Sequence, residues 1–235
     1  MQDFSAAFGQ AFRLVAGFDS DLVEIVGLSL RVSITAVVLA VLIGLPLGAT
    51  LAVSRFPGRR AAIILVNSLM GMPPVVVGLL AYLLLSRAGV LGPLALLYTP
   101  TAMILAQLVL VVPIVAAVTR QIIEDLHAEY DEQLRVWGVG PVAKVLTLLR
   151  DGRFSLLTAL LAGFGRAVAE VGAVIIVGGN INHLTRVMTT AIALETSKGD
   201  LALALGLGFI LLLIALGVNA VVMLVHEAAR QANHA

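Results

Sequence analysis

Residues Leu201–Val225 read LALALGLGFILLLIALGVNAVVMLV, twenty-five positions with no Asp, Glu, Lys or Arg. A helix needs about 20 mostly apolar residues to cross about 30 Å of hydrocarbon, so this stretch can span a bilayer by itself. Four others qualify: Leu28–Val53, Ala61–Ser86, Leu96–Thr119 and Ser155–Gly179. The composition agrees. Of 235 residues 60% are apolar and 12% charged, and the mean hydropathy is +1.06. A soluble domain runs about 45–50% apolar and about 25% charged. That deficit of charge argues against a soluble enzyme, a disordered chain and a disulfide-stapled secreted fold. The absence of cysteine removes thiolate catalysis, zinc ribbons and iron–sulfur ligation.

The expected fold is therefore an all-α polytopic membrane protein with five core transmembrane helices over residues 28–225. Residues 1–27 form an N-terminal segment without the basic n-region of a secretory signal. Phe4, Phe8 and Phe12 recur at helical spacing, which predicts an amphipathic helix at the interface. Asp21 and Glu24 read as the start of the first spanning helix. Residues 226–235 read as a tail. Nine Lys/Arg residues fall on the side of residues 54–60, 120–153 and 230, against four on the other side. The positive-inside rule then sets the N-terminus outside and the C-terminus in the cytoplasm.

Residues 120–153 carry the densest charge yet hold apolar positions such as Ile123, Leu126, Leu134, Leu146 and Leu149. Gly138, Gly140 and Pro141 break the segment, so it reads as helix, sharp turn, helix. Two readings stand: a solvated connector, or a docking knob built around Trp137, the single tryptophan.

The stretch Glu132-Gln-Leu-Arg-Val-Trp-Gly138, followed by Pro141, resembles the EAA loop of bacterial ABC-transporter permeases. Gly165-Arg166-Ala167-Val168-Ala169-Glu170-Val171-Gly172-Ala173 is similar to the fourth core helix of oxyanion-importing permeases. Pro73-Pro74-Val75-Val76-Val77-Gly78 and Gly44-Leu-Pro-Leu-Gly48 match the same pattern. Gln133 and Leu134 stand where the two alanines of EAA would be, and Arg150-Asp151 where Leu-Pro usually follows the loop. Gly178-Gly179-Asn180-Ile181 and the run Thr185–Glu195 look most like tungstate permeases.

The resemblance implies a type I ABC-importer permease in a bacterial or archaeal cell membrane. Its partners would be a second copy of itself, a cytoplasmic ATPase dimer, an extracytoplasmic binding protein and lipid, with no nucleic acid. ATP and Mg would be bound by the ATPase, so the chain itself is non-catalytic and needs no cofactor or metal. The cargo would be a tetrahedral oxyanion, tungstate first, with molybdate and sulfate as alternatives. The match assigns ATPase coupling to Asp131, Glu132, Arg135, Trp137, Gly138 and Pro141. A short helix over Asp131–Gly138 would end in a left-handed Gly138, a conformation glycine adopts at little cost.

Arg166 and Glu170 are four residues apart in a predicted span and would share a helical face. An ionisable pair in hydrocarbon is expensive. It either neutralises itself structurally, or Arg166 lines the pathway with Glu170 holding its planar fork toward an anion. Prolines 46, 73, 74 and 113 interrupt three spans. Of these, Pro73-Pro74 removes two successive N–H donors, and irregular backbone at membrane depth is tolerated only against protein or a water-filled path. Met70–Gly78, with Met72, Pro73 and Pro74, therefore reads as pore-lining. Gly44-x-x-x-Gly48 and Gly165, Ala169, Ala173 have small-xxx-small spacing and read as helix packing. Gly178-Gly179-Asn180 lacks the Lys-Ser/Thr of a phosphate-binding loop. His127, His183, His226 and His234 lack metal-ligand spacing and read as surface residues of loops and tail. Residues 180–200 form an outer cap or a docking surface for the binding protein.

Two other classes were weighed. A secondary transporter or channel predicts internal repeats and coupling acids in its spans. An intramembrane enzyme needs a Ser/His, paired Asp or metal constellation at membrane depth. The sequence offers neither.

Overall fold

The computed structural model describes the backbone of residues 4–17 and 19–234 and the side chains of 8–17, 19–224 and 227. The side chains of Phe4, His226, Arg230 and His234 lie outside the described residues. The described chain is helical, with no strand: α1 (Phe4–Ala16), α2 (Ser20–Val53), α3 (Arg59–Met70), α4 (Pro74–Leu85), a 3-10 turn (Gly92–Leu94), α5 (Pro100–Val136), α6 (Pro141–Asp151), α7 (Leu157–Val168), α8 (Gly172–Gly178), α9 (Met188–Lys198) and α10 (Leu201–His234).

Three helices, α2, α5 and α10, are long and apolar enough to cross a membrane unbroken. The other two predicted spans are not continuous. Ala61–Ser86 is α3 and α4, sharply bent at a short break, and Ser155–Gly179 contains the bent pair α7 and α8. The total is five only if each bent pair is one span. The first spanning helix begins at Ser20, where Asp19 Oδ1 accepts the backbone N–H groups of Asp21 and Leu22 at 3.1 and 3.2 Å. Helix α10 continues past its apolar stretch, Leu201–Leu224, to His234.

Proline chemistry explains one break and spares two helices. Pro46 and Pro113 lie inside α2 and α5, which run through them, so that Pro73-Pro74 alone of these prolines stands at a helix break. At residues 71–73 the helix does stop. Pro73 is extended (φ −61°, ψ 125°) and Pro74 opens α4 at the position where a missing N–H costs nothing. Leu69 O, which would have lost its donor to Pro73, is taken up by Met72 N–H at 3.2 Å.

Packing divides the chain into two units. The first comprises Met1–Ala36, Pro73–Gln107 and Ala167–Val218. Its core gathers Leu22, Ile25, Met188, Ala191 and Leu207. There α4 and α8 pack closely: a Cβ on Gly78 would stand 2.8 Å from Ala173 Cα. In α1, Ala11 is buried, Phe12 is exposed, and the Phe8 ring lies 5.9 Å from that of Phe209.

The second unit comprises Val37–Met72, Leu108–Arg166 and Asn219–Ala235, and Ala49, Ala52, Ile123, Leu134 and Leu148 form one of its cores. Gly44 sits 2.8 Å, by its missing Cβ, from Val115 Cγ1, and Gly48 faces the Ala116 carbonyl and Thr119 Cβ even more closely. The Gly44-x-x-x-Gly48 pair is thus a close contact of α2 with α5 inside one chain. Gly165, by contrast, faces open space.

Candidate functional site: a charged helical hairpin and a polar helix break

Helix α5 has 37 residues, about 55 Å at 1.5 Å per residue. This exceeds the roughly 30 Å hydrocarbon thickness by about 25 Å, so its charged end projects beyond the apolar part. The expected separate short helix at Asp131–Gly138 is instead the end of α5. Gly138 then turns the chain at φ +62°, the left-handed value expected for it. The separate short helix is α6, which starts at Pro141 with Pro at its first position. His127 accordingly lies in a helix rather than a loop.

The hairpin has a fastened base and an apolar tip. Asp131 is its central tie: Lys144 Nζ of α6 donates to Asp131 Oδ1 at 3.1 Å, and Arg135 pairs with Oδ2. His127 Nε2 stands 3.6 Å from the same carboxylate. Leu134 and Leu148 are buried between the helices. Nearer α2, Glu124 holds both Arg59, at 2.5 Å, and Arg120. Arg59 Nε donates to the Leu51 carbonyl at 2.7 Å and caps the end of α2.

The tip exposes what a soluble surface would bury. Val136 is 84%, Trp137 73%, Val142 71% and Leu146 62% exposed. Glu132, Arg135, Gly138 and Pro141 are exposed beside them. A cleft of about 220 Å³, lined by Tyr130, Gln133, Trp137, Thr147 and Asp151 among others, opens next to this patch. The structure separates the predicted coupling residues. Glu132, Trp137, Gly138 and Pro141 are free at the surface, while Asp131 faces inward to α6. Lys144 and the α6 residues Val142 and Leu146 were missed. The i, i+4 spacing of Val142 and Leu146, opposite Val145, Leu148 and Leu149, is the signal that marks a second apolar face on α6.

The predicted Arg166–Glu170 pair does not share a continuous helix. Helix α7 ends at Val168, with half-buried Arg166 in its last turn, and Glu170 lies in the break before α8. Both residues have interaction partners. Glu170 is buried, and its Oε1 accepts the Ala173 N–H at 3.0 Å at the start of α8. Thr189 Oγ1 donates to the Glu170 carbonyl at 2.8 Å, and Gln107 Nε2 to the Ala167 carbonyl at 2.9 Å. The break at membrane depth therefore has its backbone groups met by side chains. Ser29, buried on α2, accepts the Met188 N–H at 2.7 Å beside this site. A small cavity of about 10 Å³ lies among Ser29, Ser33, Gln107, Glu170 and Thr189, room for about one water. These polar partners were not singled out in the sequence, because isolated Ser, Gln and Thr in apolar helices have no pattern of their own. Met72 is half-buried and Pro73 exposed at the other break, and Pro74 is half-buried in α4.

In the segment before α9, Asn180, Thr185 and Thr190 are cross-bonded: Thr190 Oγ1 donates to Asn180 Oδ1 at 2.9 Å and Thr185 Oγ1 to the Gly178 carbonyl at 2.6 Å. The fold also brings together Asp21, Glu24 and His183, whose donor atoms lie within 4.8 Å of one another at the exposed surface. The His183 Nδ1–Glu24 Oε2 distance is 2.8 Å. Sequence spacing could not show this, since 159 positions separate the two residues.

The family described as binding-protein-dependent transport system inner membrane component matches residues 44–232. The chain belongs to that family. This permease is 39% identical over 227 residues to the tungstate uptake system permease protein of Peptoclostridium acidaminophilum, covering 97% of this chain and 100% of that one. It is 41% identical over 204 residues to a probable anion ABC transporter permease protein of Haloferax volcanii, covering 85% and 88% of the two chains. The sulfate transport system permease of Synechococcus elongatus is more distant, at 28% over 177 residues, 72% of this chain and 62% of that one. The permease is thus a multi-pass membrane protein, and its relatives carry the names of transport subunits rather than of enzymes.

Proposed function

We propose that this permease is the membrane subunit of an ATP-driven tungstate importer. It would pair with a second copy, receive the oxyanion from an extracytoplasmic binding protein and take its driving force from a cytoplasmic ATPase dimer. The permease supplies no catalytic group of its own. The observation that carries the coupling part is the hairpin tip: Val136, Trp137, Val142 and Leu146 exposed on a base fastened by Asp131–Lys144. Aromatic anchors in such patches dominate protein association. In this reading Glu132, Trp137, Gly138 and Pro141 meet the ATPase, while Asp131 and Arg135 hold the tip in shape. The hairpin then lies in the cytoplasm, the N-terminus outside and the C-terminus inside, as the basic residues favour.

Full-length similarity to a tungstate permease supports the cargo. The α3–α4 break at Met72–Pro74 and Arg166 near the α7–α8 break are the proposed pathway residues. Two broken helices with satisfied backbone are what a membrane protein can place around a polar path. Uptake into vesicles reconstituted with the permease, its ATPase and its binding protein tests the whole reading. Tungstate should be accumulated with ATP hydrolysis in preference to molybdate and sulfate. Uptake of amino acids or metal cations with no oxyanion uptake would overturn the substrate class. ATPase retention after deletion of residues 131–141 would overturn the coupling assignment.

A further inference from the structure

We propose that the cleft beside the α6–α7 corner binds an anionic phospholipid, its phosphate on Arg150 and Arg153 and one acyl chain in the cleft. The cavity is about 210 Å³ and is walled by Val41 and Leu45 of α2, Leu149 of α6, and Leu157 and Leu160 of α7. Arg153 is its one polar lining residue. A buried water needs two to four polar partners, so this space suits an alkyl chain and not a polar solute. The cation at its mouth is left with charge to spend. Arg153 lies over the Phe154 ring at 4.8 Å and donates only to the Arg150 carbonyl, at 3.4 Å. Arg150 is exposed next to it. Among the described residues neither arginine has a carboxylate at ion-pair distance. The intervening Asp151 lines the other cleft, with Tyr130 and Trp137.

An aliphatic slot lined by one unmatched guanidinium, that of Arg153, with a second exposed arginine three residues away at Arg150, is complementary to one molecule of the surrounding bilayer, a lipid that joins an alkyl chain to a net negative phosphate. Arginine's planar fork meets phosphate oxygens two at a time. A zwitterionic lipid gains less, because its own cation sits beside the arginines. The site concerns the lateral surface of the permease and does not depend on which anion is carried.

Native mass spectrometry of the detergent-purified permease, full length and with its ATPase, tests the proposal. Phosphatidylglycerol and phosphatidylcholine of identical acyl chains are the probes. Phosphatidylglycerol should form adducts at about thirtyfold lower concentration, equivalent to about 2 kcal/mol for two basic residues at an anionic headgroup. The Arg150→Gln/Arg153→Gln variant should lose that preference while keeping its melting temperature in phosphatidylcholine, since both side chains are exposed. Equal adducts of the two lipids on the unmodified permease would overturn the proposal, as would an unchanged preference in the double variant. The chain has no cysteine, so a Leu160→Cys substitution adds the only thiol. Its efficient disulfide crosslinking between copies in the membrane would assign the cleft to a copy–copy contact and overturn lipid occupancy.

Discussion

Lys144 Nζ donates to Asp131 Oδ1 at 3.1 Å, with the two side chains only 14% and 22% exposed, and so ties α6 to the end of α5. If the tip docks the ATPase as proposed, this contact stiffens the base through which force would pass. Lys144→Met and Asp131→Asn should each lower tungstate-stimulated ATP hydrolysis by the assembled complex while the subunits still co-purify. The exchanged pair Asp131→Lys/Lys144→Asp should recover part of the loss. A double-mutant cycle showing no coupling between the two positions would remove the tie from the mechanism.

Trp137 separates docking from folding. Its side chain is 73% exposed, so Trp137→Ala should change the unfolding free energy by no more than surface substitutions do, about ±0.5 kcal/mol. Association with the ATPase should fall by about thirtyfold or more, the effect of losing an aromatic anchor worth about 2 kcal/mol. Titration of the solubilised permease with the purified ATPase measures this. Unchanged affinity would leave the tip without a partner.

Two glycines in the same kind of motif should behave in opposite ways. At Gly44 a larger side chain meets Val115 at once, and Gly44→Leu should cost roughly 1–3 kcal/mol by overpacking. Gly165 has nothing within 4 Å. Gly165→Ala should be neutral, or more stable by up to about 1 kcal/mol from helix propensity. Thermal denaturation of the two variants in one detergent distinguishes them.

Glu170 is the sharpest test of charge against structure. If its task is to accept the Ala173 N–H at the start of α8, Glu170→Gln keeps an acceptor oxygen and should fold and transport nearly normally. Glu170→Ala leaves a buried donor unmet and should cost about 1–3 kcal/mol. A Glu170→Gln permease that is stable but inactive would show that the charge itself is needed. Normal transport by Arg166→Lys would remove Arg166 from the pathway.

The exposed His183–Glu24 contact predicts a pH dependence of stability. The Glu24 carboxylate hydrogen-bonds to the imidazole, and its negative charge adds to this, so the histidine pKa is held above its ordinary value. The folded state therefore binds the proton more tightly than the unfolded chain. The contribution is fully present below the ordinary histidine pKa, about 6.5, and is lost as pH rises through the elevated folded value. Both side chains are well exposed, 61% and 46%, so added salt should weaken the effect. The gap in melting temperature between pH 6 and pH 8 should shrink in His183→Gln and at high salt. A gap that persists in both would assign it to other groups.

What could be read without coordinates follows from local rules. Apolar runs of membrane length place five hydrophobic segments, and a glycine and proline beyond a charged helix place the hairpin with its left-handed Gly138. The motif residues that identified the family lie within short stretches and needed no tertiary information. The failures share one cause. A hydropathy window cannot distinguish a straight helix from a bent one of the same composition, so Ala61–Ser86 and Ser155–Gly179 read as continuous.

The doubled proline at 73–74 marks in the chain where backbone is irregular, and the structure shows that the single prolines do not end their helices. Helices α2 and α5 run through Pro46 and Pro113, while Gly71 together with the Pro73-Pro74 pair ends α3. The sequence by itself determined the membrane location, the helical class and the hairpin, because each depends on residues adjacent in the chain or one helical turn apart. Only the tertiary structure decided that Asp131 faces Lys144, that Glu170 caps α8, that Thr189 and Gln107 tend the break, and that Glu24 meets His183. Lys144, Thr189, Gln107 and His183 come from segments that only packing brings beside their partners, and at the buried break each N–H or carbonyl must be satisfied by whatever polar group lies within reach, the nearby Glu170 included.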